Sequence, residues 1–306
     1  MHTKNTIHRR WMIYMCCALL VTLCTVHYAH AHDLSFVFPE DDNYSLPKQI
    51  RYSLSIQNPT NRFGKNVFLW IYAPVHKTSN QALRDITISH PGRIVQDEEG
   101  NVICVFTLSE MAPAETKIFR IRANLFMSDQ AEKISLKGKD NYVHPEKFIE
   151  SDHPLIIKQA SILTRDNPYN TAHALYGWIV QNIECNEFQS EDRGALYAFT
   201  KMRGDCTECA SLFVALCRAA HIPARMMSGY ICHRNCIVTA ADFHHWAEFY
   251  HEGAWHLVDP QKRQFCIGGE NYIATEIYCD ENQNPIGEYH RFRFQGEGVR
   301  FKVKMN

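Results

Sequence analysis

Gly204-Asp205-Cys206-Thr207-Glu208 sets a cysteine where a glycine turn runs into an apolar stretch from Ala210 to Ala220. Asp205 with Glu208 three residues on has the spacing of a capping box, which predicts a helix with Cys206 in its first turn. The backbone N–H groups there lack intrahelical partners, and the positive end of the helix dipole favours a thiolate over a thiol. Thiolates are nucleophiles, so the position suits covalent chemistry better than packing. A cysteine nucleophile needs a base, and the base needs an acid to orient it. His244-His245-Trp246 and Val258-Asp259-Pro260 follow in that order.

Strand alternation over Phe243 to Tyr250 puts His244, Trp246 and Glu248 on one face and Phe243, His245, Ala247 and Phe249 on the other. It separates the two histidines without saying which one faces Cys206. The turn His251-Glu252-Gly253 brings the chain back through Trp255 to Asp259, so an antiparallel neighbour would carry the acid beside His244. Pro260 ends that strand just past the acid.

Period and punctuation divide the rest of the chain. From Leu34 to Leu125, short alternating or β-branched runs (Ile50 to Ile56, Asn66 to Ala73, Asn101 to Thr107, Lys117 to Leu125) are separated by turn signals such as Asn58-Pro59 and Pro91-Gly92. That spacing predicts a β-sandwich. Ser128 to Asp140 is polar and reads as a linker. Pro145 to Ile149, Pro154 to Leu163, Thr171 to Ile183 and Arg193 to Met202 then show helical spacing. After Pro223 the period returns to two, in Arg225 to Ile231, Phe243 to Tyr250, Trp255 to Val258 and Arg291 to Lys304. The expected fold class is α+β. The expected organisation is a signal peptide at 1–31, a β-sandwich at 32–125, a linker at 126–144 and a catalytic domain at 145–306.

The signal-peptide assignment rests on Lys4, Arg9 and Arg10, an apolar run from Trp11 to Val26, and the small-residue pattern Ala29-His30-Ala31. The run is shorter than the roughly 20 residues a spanning helix needs. Cleavage after Ala31 and a secreted or periplasmic location without a stable membrane span follow as expectations. The 306 residues are 45% apolar and 21% charged with a formal net charge of -1, which gives no reason to expect a nucleic-acid partner. Of the 12 cysteines, Cys16, Cys17 and Cys24 fall in the signal segment. Nine follow it, an odd number, so one free thiol is expected if the others pair, with Cys206 the natural candidate. Cys232 and Cys236 flank His233, but no paired zinc-ligand spacing accompanies them, and no metal or cofactor is expected.

Several of these segments together resemble the core of the transglutaminase-like superfamily: Gly204 to Glu208, Arg218 to Arg225 with its Ile222-Pro223, Ser228-Gly229-Tyr230, His244-x-Trp246-x-Glu248, and Trp255-x-x-Val258-Asp259-Pro260. The likeness runs from about Pro145 to Pro260 and weakens beyond. The sandwich ahead of it, with Asn58-Pro59-Thr60-Asn61-Arg62-Phe63, resembles the β-domain that precedes this core in exported bacterial relatives. The resemblance implies a papain-like core, with the nucleophile on a helix and the base and acid on an antiparallel sheet. It implies Cys206 as nucleophile, His244 as base and Asp259 as orienting acid. Trp246 and Tyr230 are candidates for the substrate-binding wall, although Trp246, like Trp255, is equally a core residue on a strand. Cys209 stands where relatives more often carry an aromatic residue, one turn from Cys206 and within reach of a disulfide or of an influence on the thiol. His221 replaces a glycine.

The implied chemistry is attack on an amide carbonyl, a thioester, and resolution by water or by an amine. Protein or peptide substrates are expected, with cell-envelope peptides among them, and hydrolysis is favoured because no calcium-loop pattern is present. The alternatives are protein-glutamine crosslinking and a non-catalytic binding scaffold. Glu248 is read as an ion-pair partner for Arg225, Asp205 as a helix cap and Trp178 as core.

Overall fold

The computed structural model describes residues 33–136, 142–185, 193–279, 285–286 and 290–306. The expected signal peptide, and residues 137–141 of the expected linker, lie outside them. The order is β1 (Leu34–Val37), β2 (Leu46–Gln57), β3 (Gly64–Ala73), β4 (Lys77–Thr78), β5 (Gln81–Ile88), β6 (Arg93–Gln96), β7 (Val102–Met111), β8 (Thr116–Met127), α1 (Pro154–Leu163), α2 (Pro168–Asn182), α3 (Gly194–Lys201) and α4 (Cys206–Ala219). Then come β9 (Ala224–Ile231), β10 (Cys236–Ile237), β11 (Phe243–His251), β12 (Ala254–Asp259), β13 (Gln264–Phe265), β14 (Tyr272–Ile277), β15 (Phe292–Glu297) and β16 (Lys302–Met305). The architecture is α+β.

Two sheets make the N-terminal sandwich. One runs β1-β5-β8-β2-β10, with β4 on β5 and β16 on β2; the other runs β15-β3-β7-β6. Their inner faces supply one apolar cluster, in which Ile50, Leu54 and Ile56 meet Leu69, Phe106 and Phe119, all almost fully buried. Strict alternation along β2 and β8 places Arg51, Ser53 and Arg120, Arg122 on the opposite, outer face.

The third sheet, β13-β12-β11-β9-β14, packs against the helices. α4 lies between the sheet and the other helices, with Leu212, Phe213 and Leu216 buried against Leu175, Ile179, Ala198 and Phe249. A helix surrounded in this way is apolar on nearly every side, and every residue from Thr207 to Arg218 is buried. α1 and α2 begin at Pro154 and Pro168, where the missing N–H costs nothing.

Three features differ from the sequence reading. Pro145 to Ile149 is not helical: Glu146 and Ile149 exchange backbone hydrogen bonds of 3.2 and 2.9 Å, and Phe148 sits at φ 68°. A turn closed on itself in this way cannot propagate a helix. The expected division at residue 145 is crossed by β15 and β16, which pair with β3 and β2 of the sandwich, while β10 runs parallel to β2. Finally, β5 and β14 carried no alternation that singled them out. β5 pairs with β8 through a bulge, and β14 pairs with β9 through another. A bulge interrupts the two-residue period.

Candidate active site

The start of α4 is built as its sequence predicts. The Thr207 N–H donates to Asp205 Oδ1 at 2.8 Å and the Asp205 N–H donates to Glu208 Oε2 at 3.0 Å, a complete capping box. A side chain at Gly204 would bring its Cβ to 2.6 Å from Glu208 Cβ, so the tight approach of cap and turn requires glycine. Glu208 is fully buried, and its second oxygen accepts the Arg193 N–H at 3.1 Å. A disulfide between Cys185 and Cys209 ties the first turn of the helix to the segment after α2. Cys206 is thereby fixed as the first helical residue.

β11 and β12 pair with Ala247 opposite Val258. His244 therefore stands on the same face as Asp259, two residues along. Its Nε2 lies 2.6 Å from Asp259 Oδ2, with both side chains buried. Asp259 accepts two further hydrogen bonds, from the Lys262 N–H to Oδ1 and from the Tyr272 hydroxyl to Oδ2, each 2.9 Å. The carboxylate is thus held by three donors, as a buried charge must be. Since Nε2 is engaged, Nδ1 is the ring nitrogen left to meet a reacting group.

His245 lies on the other face. Its Nδ1 is 3.2 Å from Ser228 Oγ, which in turn donates to Glu276. Burial first, and the neighbouring His244 second, depress its pKa to about 3, so the ring is neutral at ordinary pH. His244 lines a cavity together with Cys206, and His245 is not among its walls.

That cavity measures about 710 Å³. Asp205, Cys206, His244, Lys262, Asn271 and Tyr272 are among its walls. Burial pushes the Cys206 thiol up to about 12, and the charges of Asp205 and Asp259 act in the same direction. The His245 backbone N–H and the Thr207 side chain pull the other way. The expectation that the helix start alone favours a thiolate is therefore corrected: desolvation outweighs it. Attack by Cys206 therefore calls for a base to take its proton.

The remaining sequence candidates fall as follows. Trp246 is buried in a core cluster, edge-on to Tyr272 with centroids 5.2 Å apart, and is not a cavity wall. Tyr230 is also not on the wall. It lies opposite Phe243 in the sheet, on the face that meets the sandwich core and Tyr52. Its expected place in the cleft is corrected accordingly. Glu248 and Arg225 form the anticipated buried ion pair at 2.7 Å, with the guanidinium 4.1 Å over the Trp255 ring. Trp178 stacks on Phe199 against the helical core. Cys232 and Cys236 form a disulfide rather than a ligand pair. Cys104, Cys206, Cys217 and Cys266 are free thiols, more than the single one that full pairing would leave.

Sequence reasoning missed Tyr272, which belongs to no motif and sits at the start of the unforeseen β14. His233, read as surface, is exposed, and it also lines the cavity. Among the described residues no group of three or more His, Cys, Asp or Glu is arranged to hold a metal ion, and no helix is long and apolar enough to cross a membrane.

Comparison with known proteins bears on the fold. No curated protein matches the chain in sequence. A solved structure of a candidate cysteine protease from Cytophaga hutchinsonii is similar in fold, with TM-score 0.55 and 17% identity over 85% of this chain and 92% of that one. The periplasmic domain of TgpA from Pseudomonas aeruginosa aligns with TM-score 0.38 and 15% identity, over 68% of this chain and 87% of that domain. The family model of the transglutaminase-like superfamily matches residues 157–260, the stretch that holds Cys206, His244 and Asp259. The chain carries a transglutaminase-like domain over those residues.

Proposed function

We propose that this protein is an exported enzyme that cleaves amide bonds through a thioester on Cys206, with His244 as base and acid and Asp259 as its orienting partner. One observation carries the reading: the 2.6 Å contact between His244 and Asp259 leaves Nδ1 available in the cavity that Cys206 shares.

His244 Nδ1 takes the Cys206 proton as Sγ attacks the carbonyl carbon of the substrate amide. The imidazolium so formed is stabilised by the Asp259 carboxylate, which the Tyr272 and Lys262 donors hold in place. The Cys206 N–H, unpaired at the helix start, faces the developing oxyanion. His244 then returns the proton to the leaving nitrogen, the C–N bond breaks, and the acyl group remains as a thioester. Water, deprotonated by His244, attacks the thioester carbonyl, the C–S bond breaks as His244 returns the proton to Cys206 Sγ, and the acid departs. Hydrolysis is favoured over transfer to a second amine because the walls around Cys206 are polar, with Asp205, Gln261, Lys262, Gln264 and Asn271 admitting water. Residues 1–31 act as the export signal, which would put the enzyme in a compartment where peptides or proteins of the cell envelope are its substrates.

The test uses a glutamine-containing protein and a fluorescent amine, following ammonia release, new peptide termini and amine incorporation in parallel. Ammonia or new termini that vanish in Cys206→Ala support the hydrolase. Amine incorporation dependent on Cys206 would replace it with crosslinking. Product formation that survives Cys206→Ala would refute the mechanism.

A further inference from the structure

The outer face of the larger sandwich sheet is organised in rows across its strands. In one row Ile237, Arg51, Arg122 and Thr87 lie side by side through successive pairings. In the next, Ser53 stands opposite Arg120, and two residues further on Lys304 stands opposite Ser55. Rows on one face are about 7 Å apart, so Arg51, Arg120 and Arg122 converge on one spot. They line a groove of about 330 Å³ with Ser53 and Thr87 among its other walls.

Arg51 directly opposite Arg122 is a repulsive cross-strand pair. Such pairs are ordinarily relieved by a carboxylate, and among the described residues no carboxylate forms an ion pair with either arginine. The outward acid of the preceding row, Asp85, accepts a hydrogen bond from Asn124 at 2.8 Å. Asp33, the acidic side chain on the groove wall, makes no ion pair with the arginines among the described residues. The guanidiniums are instead aimed by neutral groups: Arg51 Nε donates to Gln49 Oε1 at 2.7 Å and Arg122 Nη2 donates to Thr87 Oγ1 at 3.2 Å. Three forked cations with the hydroxyls of Ser53, Thr87 and Ser89 around a small depression suit an anion with several acceptor oxygens.

We propose that this groove binds an oxyanion of the phosphate class, and that it does so independently of the chemistry at Cys206. A tetrahedral oxyanion offers acceptors in enough directions to meet Arg51, Arg120 and Arg122 together, which a planar carboxylate does not. The group arrives either free in solution or on the headgroup of an anionic lipid.

Inorganic phosphate titrated into the protein at low ionic strength, followed by calorimetry against a chloride blank, tests the site directly. A single saturable site is expected. Arg51→Gln and Arg122→Gln should each weaken it at least about tenfold, whereas Lys302→Gln, two rows from the groove, should leave it within roughly twofold. All these side chains are exposed, so the variants retain the fold. A second arm measures cosedimentation with phosphatidylcholine vesicles with and without phosphatidic acid. Arginine-dependent cosedimentation only with phosphatidic acid assigns the lipid as source; arginine-dependent phosphate binding without cosedimentation assigns a soluble ligand. Binding in neither arm, or binding that Arg51→Gln and Arg122→Gln leave unchanged, overturns the proposal.

Discussion

Tyr272→Phe removes one oxygen from the candidate site and leaves its ring in place against Trp246. The hydroxyl donates at 2.9 Å to Asp259 Oδ2 and is buried. Burial and the adjacent Asp259 hold its pKa above the ordinary tyrosine value, so it is a donor at every working pH. The substitution takes donor and bond away together and strands no polar atom on the tyrosine side. Asp259 keeps two of its three donors, His244 and the Lys262 N–H. The loss is therefore that of one hydrogen bond to a charged acceptor, about 1.5–3 kcal/mol. For a chain of this size that corresponds to a melting temperature lower by roughly 2–5 °C. The carboxylate becomes free to rotate about the two remaining bonds, so His244 is aimed less well and Cys206 alkylation by iodoacetamide should slow by about threefold to tenfold. Scanning calorimetry and quantitative peptide mass spectrometry read the two effects. A variant melting within about 1 °C of the parent would refute the reasoning, because a buried hydroxyl bonded to a buried carboxylate cannot be lost at no cost.

Two further outcomes follow from buried charge. Arg225→Ala leaves Glu248 buried without its cation and should cost about 3–5 kcal/mol in urea unfolding, whereas Arg225→Met with Glu248→Leu should recover most of it. His245 is neutral in the fold, with a pKa of about 3 against an ordinary 6.5. Its contribution is therefore fully present above pH 6.5. It is lost as pH falls from 6.5 towards 3, because only the unfolded chain takes up the proton there. Between pH 6 and pH 4 the parent should lose about 1.4 kcal/mol per pH unit more than His245→Gln, measured by urea denaturation at each pH.

Much of the candidate site was legible because its chemistry is local. The cap at Asp205, the glycine at 204 and the position of Cys206 all lie within five consecutive residues, and hydrogen bonds that short can be read from spacing alone. The pairing of His244 with Asp259 needed only a tight turn between two alternating strands. What escaped was set by distant segments. Tyr272 reaches Asp259 through a strand whose bulge hides its period. Tyr230 was placed in the cleft by its nearness to Gly229 in sequence, but the sandwich packs on that face of β9. The state of the Cys206 thiol was misjudged for the same reason: the helix start is visible in sequence, whereas the burial that opposes it comes from the packed sheet. The C-terminal strands read as strands, yet nothing in their alternation names β2 and β3 as partners, because register across more than 200 residues is decided by whole-sheet packing.

The central claim is that His244 serves Cys206 as its base, and the protein contains its own reference for testing it. Burial raises both the Cys206 and the Cys266 thiols to about 12, but Cys266 has a tyrosine, Tyr169, as its hydrogen-bond partner instead of a histidine. The measurement is the ratio of their iodoacetamide alkylation rates at pH 7.5, by peptide mass spectrometry, in the parent and in His244→Ala. The account predicts a ratio above about ten in the parent, where His244 can accept the proton, and a ratio near one in the variant. The same ratio in both proteins would contradict it.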